Sequence, residues 1–218
     1  MAFIVVALLS AVRPMPRAVH AAVTAGPTVR RGAGRCGMSG VRCLATASSG
    51  GPKKQRVVFL GTPPVAARSL ELLLAASRAG EGGGFEVAAV VSQPPARTGR
   101  KMKLTPSPVA QLAESEGIEL LTPASAREAP FLARLAELAP DLCITAAYGC
   151  FLPQTFLDLP RLGTLNIHPS HLPLYRGAAP LQRCLEAGEA AAGVTVAFTV
   201  LKMDAGPVLR QETCVVFK

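Results

Sequence analysis

Asn166 and His168 stand two residues apart in Leu165-Asn166-Ile167-His168-Pro169. Apolar side chains alternate with polar ones there, which predicts a short strand over Leu165 to His168. Side chains two apart on a strand project to the same face, so the amide and the imidazole are expected to share one pocket. Asn offers two N–H donors, and His offers a further donor that can carry charge. Donors aimed at an oxygen that becomes negative lower the barrier of acyl transfer. Pro169 and Pro173 end the strand and stiffen the loop after it. A loop leaving the carboxyl end of a strand is where open α/β sheets hold ligands. On residue types alone, an Asn-x-His pair is more often a satisfied structural pair than a catalytic one.

The neighbouring residues add to this. Asn166-Ile167-His168-Pro169-Ser170, followed by Leu172-Pro173-Leu174-Tyr175-Arg176-Gly177-Ala178-Ala179-Pro180, resembles the signature of the folate-dependent formyltransferases. The resemblance implies that Asn166 and His168 are active-site residues and that an Asp some way downstream completes the set. Asp204, in Leu201-Lys202-Met203-Asp204-Ala205-Gly206, lies 36 positions after His168 and matches that residue. Without the resemblance, an Asp before Ala-Gly reads as a turn former. The loop Ser170, His171, Leu172 and Pro173 would line the pocket for the formyl donor, 10-formyltetrahydrofolate. His171 departs from the family, which usually has Leu there, and bears on the shape of that pocket. The implied reaction is attack of an amine on the formyl carbon. Asn166 and protonated His168 would stabilise the oxyanion, and Asp204 would keep the imidazole charged and order a water that relays the amine's proton. No metal or covalent nucleophile is expected.

The elements that must carry these residues read as an α/β fold. Arg56 to Gly61 is a buried strand ending in a Gly turn, and Pro64 to Ala79 shows helical spacing. Gly61-Thr62-Pro63-Pro64 is not Gly-x-Gly-x-x-Gly, so a dinucleotide site is not supported. Phe85 to Val91, Ile118 to Leu121 and Leu142 to Ala147 read as further strands, with helices over Val109 to Glu116 and Phe131 to Ala139. Such alternation predicts a Rossmann-like open, mostly parallel sheet with helices on both faces. After the site strand come a helix from Ala178 to Ala187 and a hairpin of Gly193 to Val200 with Val208 to Phe217, which puts Asp204 at a loop tip. Tyr148-Gly149 reads as pocket wall or turn.

Between a strand and a helix lies Ser92 to Pro108, with four basic residues inside seven positions and no acid. A loop of this composition reads as solvated or as phosphate-contacting. The string Gln93-Pro94, Gly99-Arg100, a basic pair and Pro106-Ser107-Pro108-Val109 resembles the methionyl-tRNA formyltransferases. That resemblance implies a loop entering the acceptor end of methionyl initiator tRNA, with Arg100 foremost and Lys101 and Lys103 in support. The same site chemistry serves formyltransferases acting on small amines such as glycinamide ribonucleotide, and domains that hydrolyse or oxidise the formyl donor. A non-catalytic folate or RNA binder is the reading from another class.

Six of the 23 basic residues are Arg within the first 50 positions, where there is no Asp or Glu; the remainder holds 17 basic and 14 acidic residues, so the net charge of +9 falls to +3 there. Arg-rich and acid-free, residues 1–48 read as a mitochondrial presequence, and the mature protein as a matrix enzyme. The apolar run Ala2 to Val12 also allows a secretory signal, and is too short to span a bilayer. No transmembrane helix is expected. Six Cys form no Cys-x-x-Cys pair and no zinc spacing, which points to a reduced compartment. Residues 54–218 are expected to form the catalytic domain of a monomer. The resemblance further implies that the domain is incomplete at its C-terminal side and that a tRNA-binding barrel domain is absent.

Overall fold

A computed structural model of the chain describes residues 54–81, 84–98 and 102–215. The expected presequence, Gly82-Gly83, Arg100, Lys101 and Phe217 lie outside the described residues.

Strands β1 (Gln55–Gly61), β2 (Phe85–Val91), β5 (Leu120–Leu121), β6 (Leu142–Ala146), β7 (Thr164–His168), β8 (Ala191–Phe198) and β9 (Val208–Val215) make one sheet in the order β5-β2-β1-β6-β7-β8-β9. β5, β2, β1, β6 and β7 run parallel, and β8 and β9 are added antiparallel. The strand order reverses between β1 and β6, so a crevice opens at the carboxyl ends of the central strands. Because the central strands are buried on both faces, their sequences are near-continuous apolar runs. On one face Val57, Phe59, Ile144, Leu165 and Ile167 pack with Leu70 and Leu73 of α1 (Pro64–Arg78) and Val109 and Ala113 of α2 (Pro108–Ser115). On the other, Val58, Leu60 and Cys143 pack with Phe131 and Leu135 of α3 (Ala129–Leu138) and Phe156 of α4 (Gln154–Leu157). The Phe131 and Phe156 rings stack with centroids 6.1 Å apart. The expected α/β architecture is therefore what forms.

Local chemistry explains the boundaries. α1, α2 and α3 each begin with Pro in the first turn, where its missing N–H costs nothing. Ser107 caps α2 by accepting from the Ala110 N–H at 3.0 Å. Two elements were not expected. The basic segment forms a hairpin of β3 (Ala96–Thr98) and β4 (Lys103–Thr105), where sequence suggested only a loop. The four-residue α4 follows Pro153. The helix after the site strand, α5 (Pro180–Glu186), is shorter than the predicted Ala178 to Ala187 because Ala179 takes a left-handed conformation, φ 58°, ahead of it. Among the described residues no helix is long and apolar enough to cross a membrane.

Candidate active site

β7 pairs with β6 on one side and β8 on the other. Its odd-numbered residues Leu165 and Ile167 enter the α1–α2 core. Period two then sends Asn166 and His168 to the opposite face. There the apolar cluster under α3 and α4 contains residues of β1, β2 and β6 but none of β7. The polar pair thus lies on the face away from the α1–α2 core and outside the apolar cluster under α3 and α4. Two loops fold over it instead, Pro169–Ala179 after β7 and Thr199–Pro207 between β8 and β9.

The second loop carries Asp204 back to the strand. Asn166 Nδ2 donates to Asp204 Oδ1 at 3.3 Å, and the Gly177 N–H donates to Asp204 Oδ2 at 2.8 Å. His168 Nδ1 lies 3.8 Å from Asp204 Oδ1, an ion-pair distance when the ring is protonated but beyond a hydrogen bond. The other ring nitrogen, Nε2, sits 3.0 Å from the Tyr175 carbonyl oxygen. The two ring nitrogens thus face a carboxylate on one side and a carbonyl oxygen on the other. Asn166 Oδ1 accepts from the Thr145 hydroxyl at 2.8 Å, which fixes which end of the amide points at Asp204. Side-chain exposure is 7% for His168 and 12% for Asp204, so these charges act in a weakly screened setting. Gly206 is required beside Asp204, since a Cβ there would overlap the Phe198 carbonyl.

Asn166, Asp204, Leu172 and the Ala197–Val200 segment line a small recess. Of the four residues expected at the folate pocket, Leu172 lines this recess. Ser170 is buried and donates to the Leu174 carbonyl at 2.7 Å. His171 turns away across β8, lying over Gly193 with its Nε2 3.0 Å from Thr213 Oγ1. Pro173, joined to Leu172 by a cis peptide, is exposed. Lys103 is exposed on β4, in the separate two-stranded sheet. Tyr148 is a core residue whose carbonyl accepts from Thr62 and Gln93; burial pushes its phenol well above the usual range. Burial also pushes the Cys143 thiol up. Cys150 is half-buried.

Three contributors to the site escaped sequence reading: the Thr145 hydroxyl, the Tyr175 carbonyl and the Gly177 amide. Thr145 is the lone hydroxyl in the apolar run Leu142–Ala146 and pairs across the ladder with Asn166. That lone polar residue was the available signal.

A family model described as formyl transferase matches residues 55–218. The chain belongs to the formyl transferase family. Within that family it is 49% identical over 154 residues to a methionyl-tRNA formyltransferase of Aromatoleum aromaticum, covering 71% of this chain and 46% of that protein. A methionyl-tRNA formyltransferase of Bordetella pertussis is 50% identical over 159 residues, 69% of this chain and 47% of that one. The chain spans about half the length of the curated relatives it matches. A phosphoribosylglycinamide formyltransferase from Brucella melitensis superposes with TM-score 0.60 at 31% identity, covering 75% of this chain and 81% of that one. Glycinamide ribonucleotide transformylase 1 from Geobacillus kaustophilus, at 23% identity and TM-score 0.63 over 76% of this chain and 85% of its own, shares the fold.

Proposed function

We propose that residues 54–218 form a formyltransferase catalytic domain that moves the formyl group of 10-formyltetrahydrofolate to the amine of methionyl initiator tRNA in mitochondria. The observation that carries this reading is the convergence of Asn166, His168 and Asp204 at the carboxyl end of β7. The amine attacks the formyl carbon, and a tetrahedral intermediate with an oxyanion forms. Asn166 has a second N–H beyond the one held by Asp204, and His168 Nδ1 lies on the Asp204 side of its ring. These two donors stabilise the oxyanion. Asp204 balances the charged imidazole and relays the amine's proton through a water to the donor nitrogen. The intermediate then collapses with cleavage of the bond between the formyl carbon and that nitrogen, releasing tetrahydrofolate and the formylated amine. Leu172, with Ser170, His171 and Pro173 behind and beside it, forms the wall against which the folate packs.

Arg100 and Lys101, which lie between β3 and β4 in the sequence, and Lys103, exposed on β4, contact the tRNA backbone. Residues 1–48 serve as the import presequence, and a fusion of that segment to a reporter tests this by its accumulation in the matrix. The likeness to the Brucella melitensis enzyme favours a second reading, a small-molecule amine as acceptor. Acceptor competition separates the two. With the formyl donor supplied, release of tetrahydrofolate that depends on methionyl initiator tRNA supports the first reading. Release that depends on glycinamide ribonucleotide and ignores the tRNA refutes it.

A further inference from the structure

The loop after the site strand contains three left-handed residues at alternate positions: Tyr175 at φ 55°, Gly177 at 85° and Ala179 at 58°. Gly reaches this region freely, but Tyr and Ala do so only where the surroundings insist. Two backbone groups of this short segment hold two different site residues. The Tyr175 carbonyl faces His168 Nε2 at 3.0 Å, and the Gly177 N–H donates to Asp204 Oδ2 at 2.8 Å. At its outer side the Tyr175 hydroxyl donates to Glu189 Oε1 at 3.0 Å, and that bond pushes the phenol's proton affinity up.

We propose that Tyr175 is a positioning residue: its left-handed backbone aims a carbonyl at His168 so that the neutral ring carries its proton on Nε2 and turns Nδ1 toward Asp204. The two ring nitrogens are distinct, and a hydrogen bond at one sets the role of the other. With the carbonyl in place, Nε2 must be the protonated nitrogen of the neutral ring, because two acceptors cannot bond each other. Nδ1 is then the nitrogen that gains and loses a proton next to the carboxylate. The Tyr175–Glu189 pair is exposed and tethers the turn weakly. The backbone conformation is therefore the decisive feature, and it makes an unusual demand on the residue type at position 175. This assignment rests on the formyl-transfer reading for its kinetic consequence but not for its structural one.

The test compares Tyr175→Val with Tyr175→Gly in the full chain, and uses Ala139→Val as a control for strain. Ala139 ends α3 in the same left-handed region, φ 44°, and leads into the amino end of β6, whereas the site lies at the carboxyl ends of the parallel strands. A β-branched residue resists positive φ, whereas Gly adopts it without penalty. Expected is a kcat for Tyr175→Val lower by about 10- to 100-fold, the range for misplacing a reacting group, with KM for the formyl donor unchanged. Tyr175→Gly should recover most of that loss, and Ala139→Val should lower the melting temperature without a specific loss of kcat. If Tyr175→Val does not fold, Tyr175→Thr carries the same comparison, since Thr is also β-branched and resists positive φ. The second readout needs no turnover. Nitrogen-15 chemical shifts of the His168 ring in the neutral state should report the Nε2–H tautomer in the parent and Tyr175→Gly, and a mixture in Tyr175→Val. An unchanged tautomer in Tyr175→Val or Tyr175→Thr, or a loss of rate that Gly shares, overturns the proposal. A tautomer that shifts in a chain that transfers no formyl group supports the positioning role and refutes the activity instead.

Discussion

Thr145→Val is the substitution that most sharply separates an oriented amide from one that happens to lie nearby. Val has nearly the shape of Thr, and Thr145 is 5% exposed, so the change removes a hydroxyl and leaves the packing. The lost bond is the 2.8 Å one in which the Thr145 hydroxyl donates to Asn166 Oδ1. A net hydrogen bond contributes about 0.5–1.5 kcal/mol, and a bare buried acceptor costs about 1–3 kcal/mol. Asn166 is half-buried rather than fully enclosed, so the cost falls near the low end. A stability loss of about 1–2 kcal/mol follows, or a melting temperature lower by roughly 2–8 °C for a domain of this size. The same bond decides which end of the amide faces Asp204. A bias of about 1.4 kcal/mol corresponds to a tenfold ratio of orientations, so kcat should fall about 3- to 10-fold. Deleting the donor outright, as in Asn166→Ala, should cost about 100- to 1000-fold. The assay is single-turnover formyl transfer at saturating donor, run on both single variants and the double variant. Residues that act through one another are non-additive. On the Asn166→Ala background, Thr145→Val should therefore cost no further rate. A full additional loss in the double variant, or an unchanged kcat in Thr145→Val alone, would refute the reasoning.

Further outcomes follow from other parts of the structure. Asp204→Asn removes the charge facing His168 while retaining an oxygen for the Gly177 N–H; kcat should drop by about 100-fold or more with the fold intact by circular dichroism. Gly206→Ala should lower both stability and rate, because the new Cβ collides with the Phe198 carbonyl and displaces Asp204; thermal denaturation with a parallel rate measurement checks this. Leu135→Ala opens a cavity under α3 and should cost about 2–5 kcal/mol in urea denaturation without altering kcat of the folded fraction. Lys103→Ala should weaken tRNA binding at every sequence alike and reduce the salt dependence of log K by about one unit, as measured by filter binding across salt concentrations.

The parallel sheet and the Asn166–His168 pair were legible because each leaves a periodic trace. Long apolar runs mark strands covered on both faces, and period two sends Asn166 and His168 to one side. Asp204 was legible through resemblance alone. Its contact with Asn166 spans 38 residues and depends on how the β8–β9 connection folds back, which no local pattern encodes. The β3–β4 hairpin left no trace because each strand has three residues and neither faces a core, so there is no alternation to read. α4, with four residues, is shorter than the window in which helical periodicity can be counted. The register that sets Thr145 beside Asn166 joins strands separated by a helix and a turn, and pairing at that range is decided by packing. The carbonyl of Tyr175 and the amide of Gly177 belong to groups that nearly every residue possesses, so residue type alone could not single them out. His171 was placed by its position beside Leu172, but it leans on Gly193, where the absence of a Cβ leaves room for its ring.

The most direct test of the account is transfer of a labelled formyl group from 10-formyltetrahydrofolate to methionyl initiator tRNA by the purified chain, measured beside His168→Ala. Labelled formyl-methionyl-tRNA that forms with the parent and falls by about 100-fold or more with His168→Ala is the predicted result. Product formed equally by both proteins, or none with a folded parent at saturating tRNA, would contradict the assignment of this site to formyl transfer.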